Sequence, residues 1–85
     1  MIYVLKSRPY LNFDKEGDGY FTGEFYFFQK EKYAVCERSL EQAKTYKSLK
    51  RALTAAEKSL VNFDNYVFDV VGIENGEEVE IYKVV

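Results

Sequence analysis

The segment 14–19 has the most suggestive spacing of residues that bind metal ions. Positions one, three, five and six of an EF-hand calcium loop match Asp14, Glu16, Asp18 and Gly19. The twelfth position, which supplies a bidentate carboxylate in such loops, falls on Phe25, and no helical pattern flanks the segment. We therefore interpret residues 10–19 as a connecting loop and predict no metal site.

Histidine and cysteine, which often supply acid–base and nucleophilic chemistry near neutral pH, are scarce, and nothing in the sequence singles out a pair among the fourteen acidic residues as a general acid and base. The chain has no histidine and a single cysteine, Cys36, which therefore lacks a histidine partner to stabilise a thiolate. Alternation of apolar residues around Cys36 indicates a small core residue of a strand instead. We predict a protein that is not an enzyme and that has no cofactor.

Composition limits the size and the compartment of the protein. A chain of 85 residues forms one domain, residues 1–85, and its 18% of aromatic residues can supply a core without metal or disulfide. One cysteine cannot form an internal disulfide, which indicates a reducing compartment. No segment approaches the roughly 20 apolar residues of a membrane helix, so we expect a cytoplasmic protein without a membrane partner.

The elements that must position any functional residues follow from apolar periodicity and turn signals. Alternating apolar residues predict strands at 2–6, 20–29, 32–37, 66–74 and 77–85. A helical pattern with spacings of three and four falls between the third and fourth strands. The order is β-β-β-α-β-β, which predicts an α+β fold: an antiparallel sheet with one main helix packed on one face.

The helical region contains two candidate N-caps. Ser39 begins a capping-box sequence that ends at Gln42, and Ser48 precedes the main apolar stripe. We predict a short turn at 40–44 and a helix at 48–61, with a single helix over 40–61 as the alternative. The predicted core packs Leu49, Leu53, Ala56 and Leu60 on Phe21, Phe25, Phe68 and Val70.

Asn75-Gly76 predicts a type I′ turn between the last two strands. A symmetric register around it sets Val70 opposite Ile81, and places Val79 and Ile81 on the helix side. The carboxylates of this hairpin form a candidate surface for a basic partner site. They are Asp69, Glu74, Glu77, Glu78 and Glu80.

One helix covers one face of a sheet, so aromatic residues of the other face are expected to be exposed. Exposed contiguous aromatic residues usually mark a partner site or an oligomer interface. The predicted residues of this surface are Tyr20, Tyr26, Phe28 and Tyr82. Burial of these rings by the 7–19 loop or by curling of the sheet is the alternative.

A basic row provides a second candidate surface, although the net charge is only −2. Residues 44–63 carry five positive groups and one negative group, whereas residues 64–85 carry one positive and six negative groups. If residues 44–58 are helical, a sector of about 60° contains Lys44, Lys47, Arg51 and Lys58. Such a row predicts contact with nucleic-acid phosphates, and a solvated outer face is the alternative.

The segment 39–48 (SLEQAKTYKS), with Ala52, Ala56 and the acidic closing hairpin, resembles a pattern of small phage and prophage proteins of Gram-positive bacteria. The segment is also similar to the GF-K-T-K-x-E-A stretch of the arm-binding domains of tyrosine recombinases, although Thr45 replaces the glycine. The phage resemblance implies a protein-binding module that inhibits a host or defence protein, as an anti-CRISPR does. A nucleic-acid-binding protein and a structural homo-oligomer are the alternatives.

Overall fold

A five-stranded antiparallel sheet carries one α-helix in the computed structural model, which describes residues 1–8, 19–63 and 67–84. The described elements are β1 (Ile2–Ser7), β2 (Tyr20–Phe28), β3 (Glu31–Glu37), a 3₁₀ turn (Leu40–Gln42), α1 (Leu49–Asn62), β4 (Phe68–Glu74) and β5 (Glu77–Tyr82). The spatial order of the strands is β3-β2-β1-β4-β5. The predicted α+β class and the order of elements are confirmed.

The first strand lies at the centre of the sheet and is covered on both faces. It pairs with β4 along its whole length, from Ile2 opposite Ile73 to Ser7 opposite Phe68. Successive side chains of a strand point to opposite faces. Leu5 accordingly belongs to the core beneath α1, whereas Val4 belongs to a second core on the other face, and each is 1% exposed.

After β3, the chain crosses from one face of the sheet to the other by passing between the neighbouring strands β1 and β2. Leu40 and Ala43 pack against the second core. Tyr46 then exchanges backbone hydrogen bonds of 2.9 and 2.8 Å with Tyr3 of β1. This inserted segment explains why β1 and β2 pair at a single described position, Lys6 opposite Tyr20, and it brings the chain to the face where α1 begins.

Both predicted N-caps are confirmed, and the single-helix alternative over 40–61 is wrong. The Ser39 hydroxyl accepts from the Glu41 amide, and the Ser48 hydroxyl accepts from the Arg51 amide, each at 3.2 Å. Ala43 has an extended backbone, at φ −71° and ψ 137°, which separates the 3₁₀ turn from α1. Extended geometry at this point lets the chain cross the sheet.

Small residues let α1 approach the sheet closely. Ala52 and Ala56 are fully buried against a core that includes Leu5, Phe68 and Val70. The buried stripe of the helix continues through Ser59 to the C-cap Phe63.

Two predicted core positions are wrong. Leu60 is 38% exposed and Phe25 is 50% exposed. Leu60 lies one position round the helix from the stripe that ends at Ser59. Phe25 lies on a part of β2 that only the end of the helix approaches, through the C-cap Phe63, because α1 packs on β1 and β4. Leu49 and Leu53 are partly buried at the edge of the core, because they lie beside the buried stripe of the helix.

The predicted turn between β4 and β5 is confirmed, but the predicted register is wrong by one residue. Asn75 and Gly76 both have positive φ, 54° and 76°, as a type I′ turn requires. A bulge then makes Val79 an extra residue, since Ile73 pairs with Glu78 and Gly72 pairs with Glu80.

The shift of register exchanges the faces of β5. Val70 lies opposite Tyr82 rather than Ile81. Tyr82 therefore packs against the core beneath α1. Val79 and Ile81, predicted to face the helix, are 48% and 60% exposed.

Candidate functional site

Four consecutive aromatic residues of β2 are exposed. Phe25, Tyr26, Phe27 and Phe28 have 50%, 51%, 67% and 58% of their surface accessible. Together with Tyr33 of β3 they form a surface that we term the aromatic hairpin. Large rings usually bury most of their area in a folded protein, so this arrangement requires a structural cause.

A bulge in β2 causes the exposure. Phe21 pairs with Cys36 and Phe25 pairs with Ala34, so three residues of β2 lie opposite one residue of β3. Gly23, within the bulge, has a φ of 92°, which favours glycine. The hairpin therefore diverges from β1 at this point, and its outer half is not covered by α1.

On the α1 side, Phe25 and Phe27 pack edge to face with ring centroids 5.8 Å apart. Phe25 also contacts Phe63 at the end of the helix, with 6.3 Å between centroids. The Lys32 ammonium lies 3.9 Å from the centroid of Phe25, which is a cation–π contact. This side is apolar, with one positive charge over its inner ring.

On the opposite side, the rings of Tyr26 and Tyr33 stack with centroids 5.4 Å apart and an interplanar angle of 18°. The Tyr33 hydroxyl donates to the Glu31 carboxylate at 2.6 Å. Phe28 shares this face, since it pairs with Glu31. The aromatic hairpin thus presents rings on both of its faces.

The four residues predicted to share one exposed face do not lie together. Tyr26 and Phe28 belong to the aromatic hairpin. Tyr20 is 8% exposed, and its hydroxyl donates to Glu78 at 2.8 Å. Burial, together with this hydrogen bond and the charge of Glu78, raises the pKa of Tyr20 to about 12. Tyr82 lies on the helix side, because of the β5 bulge.

Sequence reasoning assigned Phe25 to the core and Phe27 to the same face, so it missed half of the aromatic hairpin. The signal that could have found it is Gly23. A glycine inside a strand pattern often marks a bulge, and the bulge there separates Phe25 along the strand from the buried Phe21, although both rings remain on the α1 side.

Three of the predicted acidic residues have partners within the domain. Asp69 forms a part-buried ion pair with the Arg8 guanidinium. Glu78 accepts hydrogen bonds from Lys6 and Tyr20, and Glu80 accepts one from Tyr82. The other two, Glu74 and Glu77, are exposed at the turn.

The surroundings of Glu78 lower the pKa of its carboxyl. Burial alone raises the pKa of this carboxyl, but the hydrogen bonds from Lys6 and Tyr20 and the positive charge of Lys6 outweigh that effect. The pKa of Glu78 is consequently lowered, so the ionised form is favoured in the folded protein.

The predicted row of four cations on one helix is wrong, because Lys44 and Lys47 precede α1. Lys44 lies beside the bulge of β2, with its ammonium 5.5 Å from the centroid of Tyr46. Arg51 and Lys58 do share an exposed face of α1. A shallow concavity of about 450 Å³ on this face is lined by Lys50, Arg51, Thr54, Ala55 and Lys58.

Metal-binding and membrane-spanning features can be assessed for the described ranges. Among residues 1–8, 19–63 and 67–84, no three His, Cys, Asp or Glu side chains come together as metal ligands. The calcium-loop positions 14–18 lie outside these ranges. None of the described helices is long and apolar enough to cross a bilayer.

Comparison with known proteins yields no match to a family model, a curated protein sequence or a solved structure. The aromatic hairpin is therefore the main basis for inferring function, since it contains the longest run of exposed large apolar residues in the described part of the chain.

Proposed function

We propose that this chain is a non-enzymatic protein-binding domain, of phage origin, that binds and inhibits a host or defence protein through the aromatic hairpin. One observation carries the proposal: Phe25, Tyr26, Phe27 and Phe28 are all at least half exposed, although they are consecutive in the sequence. Contiguous exposed apolar surface of this kind is typical of interaction sites.

The chemistry of the hairpin favours a protein over other partners. Aromatic residues are enriched among the side chains that contribute most to protein–protein binding. Three charged residues around the turn, Lys30, Glu31 and Lys32, leave one net positive charge. Phosphate recognition depends on several cations, which this surface does not have.

Rings on both faces of a narrow hairpin suit a partner with a cleft. A flat partner surface covers one face of the aromatic hairpin and leaves the other face exposed to water. A cleft covers Phe25 and Phe27 on one side and Tyr26 and Phe28 on the other. Blocking a cleft is one means by which a small domain inhibits an enzyme without chemistry of its own.

The test is a tagged pull-down from a Gram-positive host lysate, with and without nuclease treatment. Wild type is compared with a Phe27→Ser/Phe28→Ser variant, which removes one ring from each face. Ile81→Ser is the matched control, because Ile81 is 60% exposed on the distant β5 edge. Thermal unfolding establishes that both variants remain folded.

We expect a stoichiometric protein partner that survives nuclease treatment and is retained by Ile81→Ser. The double variant is expected to bind the purified partner at least tenfold more weakly, measured by calorimetry. Equal binding by both variants contradicts the proposal. Capture that disappears with nuclease favours the nucleic-acid alternative, with contacts from Arg51 and Lys58 on the exposed face of α1.

A further inference from the structure

Three cations share the outer face of α1, on the side away from the core. Lys50, Arg51 and Lys58 are all exposed. With about 3.6 residues per turn, they fall within a sector of roughly 100° around the helix. Ala52 and Ala56, which are fully buried, lie on the opposite side. The three basic side chains line the shallow concavity of about 450 Å³ described above, so the sequence places them together on one surface.

The positive charges of this face are not neutralised within the described part of the chain. Lys6 and Arg8 each form an ion pair with a carboxylate of the sheet. Lys50, Arg51 and Lys58 form no ion pair with any of the described residues. The first turn of α1 contains no acidic residue, so the positive end of the helix dipole adds to the charges of the first two. The outer face of α1 therefore has a positive potential that attracts anions.

The spacing of the three cations matches the phosphates of a nucleic-acid duplex. Lys58 follows Lys50 by eight positions, which is about 12 Å along the helix axis. Successive phosphates of one strand of a duplex are about 3.4 Å apart along its axis. The row of cations therefore extends over about three to four phosphates of one strand.

We propose that the outer face of α1 binds the phosphate backbone of a double-stranded nucleic acid, independently of its base sequence. Contacts to phosphates position a protein on a duplex but do not read bases. Binding of single strands usually depends on bases stacked on aromatic side chains, and residues 49–62 include none. Lysine is depleted at protein interfaces. Since two of the three cations are lysines, a duplex fits this face better than an acidic protein does.

The duplex site goes beyond the proposed function, because it is a second surface with a different ligand. The aromatic hairpin has exposed rings and one net positive charge around its turn, whereas the outer face of α1 has three cations and no ring. A host protein that is bound to nucleic acid presents a ligand to each of these surfaces. That link rests on the proposed function, whereas binding of a duplex by α1 does not.

Fluorescence anisotropy with the full 85-residue chain and a labelled duplex of about 20 base pairs tests the proposal. Salt is raised from about 20 to about 200 mM, because the slope of log association constant against log salt counts phosphate contacts. The test variant is Arg51→Ala/Lys58→Ala, since alanine preserves helix propensity. The matched control is Lys30→Gly/Lys83→Ala, which removes the same charge from two exposed positions outside α1. Glycine is used at position 30 because φ is positive there.

We expect wild type to bind the duplex with a Kd of about 100 μM or less at about 20 mM salt, and with a slope of about −2.7 for three phosphate contacts. Arg51→Ala/Lys58→Ala is expected to bind roughly tenfold more weakly and to reduce the slope by about 1.8. Lys30→Gly/Lys83→Ala is expected to match wild type within about twofold. Polyglutamate, which represents an acidic protein surface, is expected to bind roughly tenfold more weakly than the duplex, because the duplex has a high charge density.

Absence of duplex binding at about 20 mM salt, or an equal loss of binding in both variants, overturns the proposal. Polyglutamate that binds as tightly as the duplex also overturns it and favours an acidic protein as the occupant. Thermal unfolding establishes that both variants remain folded. These results are distinguishable from failure of the proposed function, because Phe27→Ser/Phe28→Ser is expected to bind the duplex as wild type does.

Discussion

At the scale of single residues, Tyr20, Glu78 and Lys6 join three strands on the face opposite α1. The Tyr20 hydroxyl donates to Glu78 at 2.8 Å, and the Lys6 ammonium lies 3.0 Å from the same carboxylate. Lys6 also lies 5.6 Å from the centroid of the Tyr20 ring. The network ties β2 and β1 to β5, and it holds Glu78 inward at the bulge.

Tyr20→Phe is expected to lower the free energy of unfolding at pH 8 by about 1 kcal/mol, because it removes a hydrogen bond to a charged group. The pKa of Tyr20 is raised from 10.0 to about 12 in the folded protein. Because this pKa is higher in the folded than in the unfolded protein, Tyr20 stabilises the fold at pH values below 10. This contribution is lost as the pH rises from 10 toward 12.

Urea unfolding at pH 8, 10 and 11 measures this effect. The difference in stability between wild type and Tyr20→Phe should shrink as pH rises through that window. Tyr26→Phe is the matched control, because Tyr26 is 51% exposed and its loss should cost little at pH 8. A difference that stays constant from pH 8 to 11 argues against the raised pKa of Tyr20 in the folded protein.

At the scale of elements, the two tight hairpins among the described residues use different turn residues for the same geometry. Asn75-Gly76 has the residue types that tolerate positive φ. Gln29 and Lys30 have φ of 50° and 67° without being glycine or asparagine. Such conformations are strained for residues with a side chain, and here the strain lies at the tip of the aromatic hairpin.

The variant Gln29→Asn/Lys30→Gly is expected to stabilise the protein by about 1 kcal/mol, because it relieves this strain. The midpoint of urea unfolding should rise while its slope is unchanged. Asn75→Gln/Gly76→Lys is the reciprocal control and should lower the midpoint. If the first variant does not raise stability, the Gln29-Lys30 turn is not strained.

Local signals in the sequence predicted those parts of the fold that depend on neighbouring residues. Ser39 and Ser48 cap their helical segments, and Asn75-Gly76 forms its turn, since each depends on a few adjacent groups. The β5 register was not predictable in this way. It depends on the extra residue Val79, which is positioned by contacts of Glu78 with residues distant in sequence.

The candidate site was predicted in part for the same reason. Alternation correctly assigned Phe25 and Phe27 to one face of β2 and Tyr26 and Phe28 to the other. Whether each face is covered depends on the length and position of α1, which the alternation of apolar residues in β2 does not predict. The helix covers β1 and β4, so both faces of the outer hairpin are left exposed.

At the scale of the whole molecule, the segment that passes between β1 and β2 divides the five-stranded sheet into two parts. One part is β1, β4 and β5, and the other is the β2–β3 hairpin. The three strands β1, β4 and β5 form the main sheet, and β1 and β4 carry α1 on one face. Beyond the bulge, the β2–β3 hairpin is held to the rest of the domain by the buried Ala34 and by the contact of Phe25 with Phe63, and otherwise by its own ring contacts, such as the Tyr26–Tyr33 stack. A two-stranded hairpin is marginally stable alone, so bound partner and hairpin should stabilise each other.

The exposed rings do not by themselves supply enough area for a stable homodimer. Each aromatic side chain buries roughly 150–250 Å², so a half-exposed ring has about 100 Å² left to bury. Each face of the aromatic hairpin carries two or three such rings, or about 200–300 Å². A specific interface needs about 800 Å² from each partner.

We therefore expect the chain to sediment as a 10.0 kDa monomer at concentrations up to about 100 μM, since pairing through one face falls well short of that area. Phe27→Ser/Phe28→Ser should sediment identically. A concentration-dependent dimer that the double variant abolishes contradicts this prediction and favours the homo-oligomer alternative. A monomer leaves rings on both faces available, which is what a partner that encloses the hairpin in a cleft requires.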